Sequence, residues 1–194
     1  MPEEKTIRAF LAIDPPPEVL AAVERLQDKL KRQISGSVSW TRPRGNHLTL
    51  KFFGNIDRTV AKDISYIVKS CISNVPRMLL RIENIGAFPD LRKPRILWIG
   101  TSGDITPLTW LQNKLDKSFV QLGFPQESRP FQAHLTLGRI KDARAASGIS
   151  EAIKKYGNCR AGEFHVAELI LFQSNLTPQG AIYTRLAEFP FGNS

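Results

Sequence analysis

The sequence predicts an α+β fold: two pseudo-symmetric lobes with largely antiparallel sheets, helices on the outer faces, and a cleft between the lobes where the active site is expected. Three observations lead there. The first is a repeat: Arg42-Pro43-x-x-x-His47-Leu48-Thr49-Leu50 returns as Arg129-Pro130-x-x-x-His134-Leu135-Thr136-Leu137, matching at six of nine positions. The second is the alternation of polar and apolar residues within each copy, the period of a half-buried strand. It turns the leucines to a core and leaves His and Thr together on the opposite face. The third is context. Each copy lies between two helical patterns and is followed by paired strand-like runs, an order that suits segregated sheets and helices.

The 194 residues, 42% of them hydrophobic, suffice for a sizeable core and are read as one bilobal domain over residues 1–194. No leader-like run opens the sequence and no stretch approaches 18 apolar residues, so the expected location is the cytoplasm, with no membrane. Cys71 and Cys159 are too few and too isolated for a disulfide framework and read as reduced, packed thiols. Lys and Arg outnumber Asp and Glu by 27 to 18, a formal net charge of +9 that favours a polyanionic partner without naming one.

Residues 7–13 form an apolar strand-like run, stopped by Asp14 and three prolines that can open a helix. Val19, Val23, Leu26, Leu30 and Ile34 then recur at helical spacing. After Gly36 comes a short strand, 38–40, then a basic turn leading to the first motif strand, 47–53. Asp57 is the expected N-cap of a second helix ending near Val75. Strands follow at 79–85 and 96–99, with Gly86 to Arg95 as their connection. A third helix starts at Asp104 or Thr106 and ends at Gly123, a C′ glycine. After the second motif come a helix over 143–156 and strands at 161–166, 168–173 and 181–189, the last two joined by the turn Thr177-Pro178-Gln179-Gly180.

The repeat points to chemistry because packing symmetry needs only apolar positions to recur, whereas here His and Thr recur on the outward face. Along a strand, His47 and Thr49 stand roughly 7 Å apart, as do His134 and Thr136. Two facing imidazoles, one neutral and one protonated, can serve as general base and general acid together. A threonine hydroxyl beside each can donate to a phosphoryl oxygen, and Arg42, Arg44, Arg129 and Arg139 suit a phosphate far better than a carbonyl. A zinc site would want three or four clustered ligands, and no nucleophile elbow or P-loop is present, so no metal or other cofactor is expected.

On these residues the chain resembles the two-histidine (2H) phosphoesterase superfamily, with its two His-x-Thr-x motifs. Within it the chain is similar to the RNA 2′,3′-cyclic phosphodiesterases historically called 2′-5′ RNA ligases. His47-Leu-Thr-Leu-Lys-Phe-Phe-Gly54, Gly86-Ala-Phe-Pro89, Pro94-Arg-Ile-Leu-Trp-Ile-Gly100 and Arg129-Pro-Phe-x-x-His-Leu-Thr-Leu-Gly-Arg139 carry the likeness across almost the whole chain. The resemblance implies metal-independent hydrolysis of a 2′,3′-cyclic phosphate end of RNA to a 2′-phosphomonoester. It makes His47 the proton donor to the leaving 3′ oxygen, His134 the base that activates water, and Thr49, Thr136 and Arg139 the phosphate ligands. The near-symmetry of the motifs leaves acid and base interchangeable on sequence alone. The expected partner is RNA with such an end, tRNA fragments among the possibilities, and the protein is expected to be a monomer. Two rivals stand: 2′-5′ ligation of tRNA halves by the same residues in reverse, and a non-catalytic RNA-binding module, which would have no need of both imidazoles.

Other residues carry plainer readings. His165, alone in a strand-like run, reads as structural. Most aromatics read as core, with Trp98 and Phe131 the candidates for stacking on an unpaired base. Arg42, Arg44 and Arg129 are possible RNA contacts, and Arg92, Lys93 and Arg95 form either an RNA-approach patch or a solvated loop.

Overall fold

The computed structural model describes residues 5–36, 38–42, 45–142, 147–178 and 180–192. In chain order its elements are β1 (Thr6–Ile13), α1 (Pro17–Gln33), β2 (Val38–Trp40), β3 (Leu48–Asp57), α2 (Val60–Ile72), β4 (Met78–Phe88), β5 (Ile96–Gly103) and α3 (Ile105–Ser118), which runs into a short 3-10 turn, Phe119–Leu122. Then come β6 (His134–Ile140), α4 (Ile149–Tyr156), β7 (Arg160–Val166), β8 (Glu168–Thr177) and β9 (Gly180–Pro190). Two wholly antiparallel sheets result, ordered β3-β1-β8-β9 and β2-β6-β5-β4-β7. The α+β architecture with two sheets is thus as the sequence predicts.

The lobes do not coincide with the two halves of the sequence. The chain lays down β1 and β3 in the first sheet, builds β4 to β7 in the second, and returns to complete the first with β8 and β9. The first motif strand, β3, pairs with β1 at the edge of its sheet, and the second, β6, lies between β5 and β2. The helices cross over as well: α1 and α4 pack on the second sheet, whereas α2 lies against β3 and β9. This interleaving ties the lobes together, and the buried apolar residues under both sheets form one continuous core among the described residues.

The alternation in each motif is realised. Leu48, Leu135 and Leu137 are fully buried and Leu50 is 4% exposed. A slip of one residue in either strand would turn two leucines out to solvent at about 2 kcal/mol each, which fixes which face His and Thr occupy.

β3 starts at Leu48 rather than His47 and runs on to Asp57, α2 ends at Ile72 and β5 runs on to Gly103, and three further differences have a local physical cause. Asp57 is not a helix cap but the last residue of β3, paired with Thr6, and the preceding residue of α2 is Thr59. The ladder to β1 holds the chain extended there. Gly86, Ala87 and Phe88 belong to β4 rather than to a connection, paired with Trp98, Leu97 and Ile96. The fourth helix begins at Ile149, not near Ala143; residues 143–146 fall outside the described residues. Ser147 bridges to Ser35 and Gly148 takes φ +83, with a Cβ there falling 2.3 Å from the Gln33 carbonyl oxygen. That left-handed, tightly packed glycine sets the start. No helix among the described residues is long and apolar enough to cross a membrane.

Candidate active site

The first sheet has a core face and a cleft face. On β1, Ile7, Ala9, Leu11 and Ile13 point to the main core, while Phe10 and Ala12 join Ile170 and Phe172 of β8 in a separate apolar cluster on the other side. His47, just before β3, lies on that second cluster. Its ring centroid is 4.3 Å from Phe172, 5.0 Å from Tyr183 and 5.7 Å from Phe10, and only 7% of its side chain is exposed. Three aromatic rings thus fix the imidazole plane.

Polar contacts fix its rotation. The Gly45 backbone hydrogen-bonds the ring, and the Asp14 carboxylate approaches Nε2 at 3.6 Å, too far for a hydrogen bond and close enough for charge to matter. Asp14 is held in turn by Arg185, whose Nη2 donates to Oδ2 at 2.6 Å. Nε2 is therefore influenced by a carboxylate without being committed to it.

His134 opens β6, opposite Gly100 of β5, in a comparable setting. Nδ1 hydrogen-bonds the Gln132 carbonyl at 2.7 Å, the ring meets Phe88 edge-on at 5.0 Å, and Trp98 lies at 6.3 Å. Both histidines thus anchor to the backbone two residues upstream. With Nδ1 of His134 bonded to a carbonyl, Nδ1 carries the proton in the neutral ring and Nε2 is the atom left for chemistry. The indole of Trp98 fits because its partner across the ladder is Gly86, where a Cβ would stand 2.2 Å from the ring.

The second motif is held from the first half of the chain. Thr41, just beyond β2, donates through Oγ1 to the Thr136 carbonyl at 2.6 Å and through its N–H to the Leu137 carbonyl at 3.0 Å. Fully buried Gln27 of α1 donates to the Leu137 carbonyl at 2.7 Å and to the Thr41 carbonyl at 3.1 Å. Thr136 therefore rests on a backbone braced from two sides.

A cavity of about 690 Å³ opens between the sheets, and His47, Thr49, Thr136, Arg139 and Arg42 all line it. β3 and β6, the strands that carry the two motifs, are in contact. His134 is set back from the lining, two residues from Thr136 on the same face of β6. Of the other sequence-derived candidates, Trp98 buttresses His134, Phe131 packs against the core, and Arg129 is exposed away from the cavity lining. Arg44 lies outside the described residues. Among the described residues no three His, Cys, Asp or Glu side chains are grouped as metal ligands would be. Both cysteines are free, and burial pushes the Cys159 thiol up.

Sequence reasoning missed Asp14, Gln27, Phe10, Phe172 and Tyr183. Gln27 had a signal: it falls four residues after Val23 and three before Leu30, inside the apolar stripe, where a polar residue needs a partner. Asp14 read only as a strand terminator.

Burial lowers both imidazoles below the ordinary histidine value of 6.5. At His47 the Asp14 carboxylate and the Gly45 backbone pull back upward while Arg185 pushes down; at His134 the Gln132 carbonyl pulls up and Arg139 pushes down. Among these charged neighbours only His47 has a carboxylate, which favours its protonated form.

The residues 15–177 match the family model of the 2′-5′ RNA ligase superfamily. The chain is 36% identical to the RNA 2′,3′-cyclic phosphodiesterase of Methanothermobacter thermautotrophicus, covering 94% of this chain and 98% of that protein. It is 32% identical to the Aquifex aeolicus protein of the same name, over 97% and 99% of the two chains. Among solved structures it is similar to E. coli LigT complexed with 3′-AMP, with a TM-score of 0.77 at 25% identity over 97% of this chain and 99% of that one. A crystal structure of a phosphoesterase matches with a TM-score of 0.78 at 26% identity, over 96% and 99%.

Proposed function

The chain belongs to the 2′-5′ RNA ligase superfamily, and from that premise we propose that it is an RNA 2′,3′-cyclic phosphodiesterase that opens the cyclic end to a 2′-phosphomonoester by paired-histidine acid-base catalysis. The observation that carries this reading is the convergence of both motif copies on one basic cavity, with His47 and Thr49 entering from one sheet and Thr136 and Arg139 from the other. A binding platform would need the arginines and threonines alone; two imidazoles, each anchored to a backbone oxygen or carbonyl and wedged among aromatic rings, are what proton transfer at a fixed point requires.

In this reading Thr49, Thr136 and Arg139 hold the non-bridging oxygens of the cyclic phosphate. His134, neutral, accepts a proton from water as the water oxygen bonds to phosphorus. The P–O3′ bond breaks on the opposite side, and His47, protonated beside Asp14, gives its proton to the leaving 3′ oxygen. The 2′ ester bond remains, so the product carries a 2′-phosphate and a free 3′-hydroxyl, and one proton each way restores both histidines through solvent. The aromatic packing keeps competing water from the imidazoles. The substrate RNA, with tRNA fragments one candidate source, meets a monomer in this reading, and the whole of residues 1–194 acts as one catalytic unit in the cytoplasm.

The direct test is incubation with an RNA bearing a 2′,3′-cyclic end in excess chelator, followed by mapping of the phosphate. Turnover with the phosphate on the 2′ oxygen is expected. A strict divalent-metal requirement, a 3′-phosphate product, or joined RNA in place of hydrolysis would each overturn the mechanism.

The pH profile adds a second expectation. Because kcat/KM reports the free protein and both imidazoles there lie below 6.5, its bell should centre on the acid side of that value. The bound anionic phosphate favours both imidazolium forms, so the kcat profile should lie at higher pH. Asp14→Asn removes the carboxylate that raises His47, so the limb on which His47 deprotonates should move to lower pH. An unmoved limb would exclude Asp14 from the proton transfer.

A further inference from the structure

The cavity lining extends past the two motifs to Arg8, Phe52 and Ser174, and the charges along β1 and just beyond it change sign from one end to the other. Along the cleft face of β1 stand Arg8, Phe10, Ala12 and then, just past the strand end, Asp14. Phe10 touches His47, so the row places a cation on one side of the proposed catalytic point and a carboxylate on the other. At the Asp14 end Arg185 is already engaged by Asp14, Glu168 and Glu188. That end repels a further phosphate. At the opposite end Arg8 is exposed, lines the cavity, and has no ion-pair or side-chain hydrogen-bond partner among the described residues.

Beside Arg8 is an exposed aromatic ring. Phe52 pairs with Phe10 across the β1–β3 ladder, its ring 5.6 Å from that of Phe10, yet it is 58% exposed and lines the same cavity. β3 departs from simple alternation just before it, where Leu50 and Lys51 are buried in succession. The register shifts between Leu11 and Ala12 put Thr49 and Phe52 rather than Thr49 and Lys51 on the cleft side, while Lys51 is buried behind. A bulge that turns a phenylalanine outward into a basic cavity is a local device for re-aiming a side chain, not core packing. Ser174 of β8, next to this end, also lines the cavity and supplies a hydroxyl.

We propose that Arg8 and Phe52 form a second nucleotide subsite, in which Phe52 stacks on the base of the nucleotide 5′ to the cyclic end and Arg8 binds the phosphodiester that joins the two. The inference rests on the phosphodiesterase reading, which fixes the polarity: a 2′,3′-cyclic phosphate ends its strand, so all remaining RNA extends in the 5′ direction. That strand can leave over the cation at Arg8 and not over the carboxylates near Asp14. Arg8 lies two residues from Phe10, about 7 Å along the strand and on the scale of one nucleotide step. An arginine tracking the backbone next to a ring that stacks bases is the recurring construction of single-strand RNA sites. The protein would then distinguish an RNA end from a free cyclic mononucleotide by contacts one nucleotide away from the reaction.

The experiment compares a 2′,3′-cyclic mononucleotide with a dinucleotide carrying the same cyclic end, at one fixed salt concentration. The unaltered protein should show a KM about tenfold lower for the dinucleotide. Arg8→Ala and Phe52→Ala should each raise the dinucleotide KM about five- to tenfold, leaving the mononucleotide, which does not reach them, within about twofold. Arg8→Glu should raise it further. For binding of the dinucleotide product, Arg8→Ala should also flatten the dependence of log affinity on log salt by about 0.7, one phosphate contact on a single strand. Equal KM values for the two substrates in the unaltered protein, or equal effects of the variants on both, would overturn the subsite. Should neither substrate turn over, the phosphodiesterase reading fails instead, and dissociation constants of the mono- and dinucleotide 2′-phosphates then test the subsite by the same comparison.

Discussion

His47→Ala and His134→Ala should each lower the single-turnover rate on an RNA 2′,3′-cyclic end by at least about 10²-fold, the scale on which a positioned acid or base contributes. Affinity for the RNA should change little, because Thr49, Thr136, Arg139 and Arg42 still line the cavity. The two losses have different anatomies. Removing His47 deletes a ring in contact with Phe10, Phe172 and Tyr183 and leaves Asp14 facing the cavity with its charge unopposed except by Arg185. That carboxylate should disfavour the anionic substrate modestly, so a small rise in the dissociation constant accompanies this variant and not His134→Ala. Arg139→Ala, by contrast, should weaken binding and rate together, since its charge acts on the phosphate before and during reaction. The check is single-turnover kinetics beside dissociation constants at one salt concentration. Near-normal turnover in either histidine variant would end the paired acid-base mechanism. Loss of binding as severe as the loss of rate in both would make the motifs a binding platform.

What the sequence made legible follows from the range of the forces involved. The alternation of His47-Leu-Thr-Leu and His134-Leu-Thr-Leu is local, and it correctly assigns the buried leucines and the cleft-facing threonines. Helical periodicity likewise places α1, α2 and α3, and the left-handed Gly123 ends the 3-10 turn after α3 at the expected residue. Strand partnership is different. Backbone ladders carry no residue-specific label, so nothing local tells β1 that it will lie between β3 and β8, some 160 residues away for the latter. For that reason the lobes read as sequence halves, whereas the chain interleaves them. The candidate site divides along the same line: side chains inside the repeat were visible, while Asp14, Phe10, Phe172 and Tyr183 reach His47 only through non-local pairing. Arg129 and Phe131 lie just before the second motif, and that proximity in sequence does not bring them to the cavity lining.

Asp116→Ala should cost about 3 kcal/mol of stability, lowering the melting temperature by about 6–12 °C, although it touches neither histidine. Lys51 lies two residues past Thr49 on β3 but on the buried side, its side chain 4% exposed. Its Nζ donates to Asp116 Oδ1 of α3 at 2.6 Å, to the Pro125 carbonyl at 2.7 Å, and to Glu127 Oε1 at 3.3 Å. Asp116, 8% exposed, also accepts the Glu127 backbone N–H at 2.8 Å through its other oxygen. Deleting the carboxylate strands a buried ammonium and an amide at once, and the half-exposed Glu127 cannot replace it because water screens that contact. A buried pair is costly to break and cheap to replace. The double variant Lys51→Met with Asp116→Leu should therefore recover most of the loss, a coupling that a double-mutant cycle measures directly. Below its melting transition Asp116→Ala should keep catalysis within about tenfold, since β3 is still paired to β1 through eight registered positions. A loss of stability under about 1 kcal/mol would place the pair with ordinary surface ion pairs. A rate loss as large as that of His47→Ala in the folded protein would mean that this buried pair, rather than the β1 ladder, sets the position of the first motif.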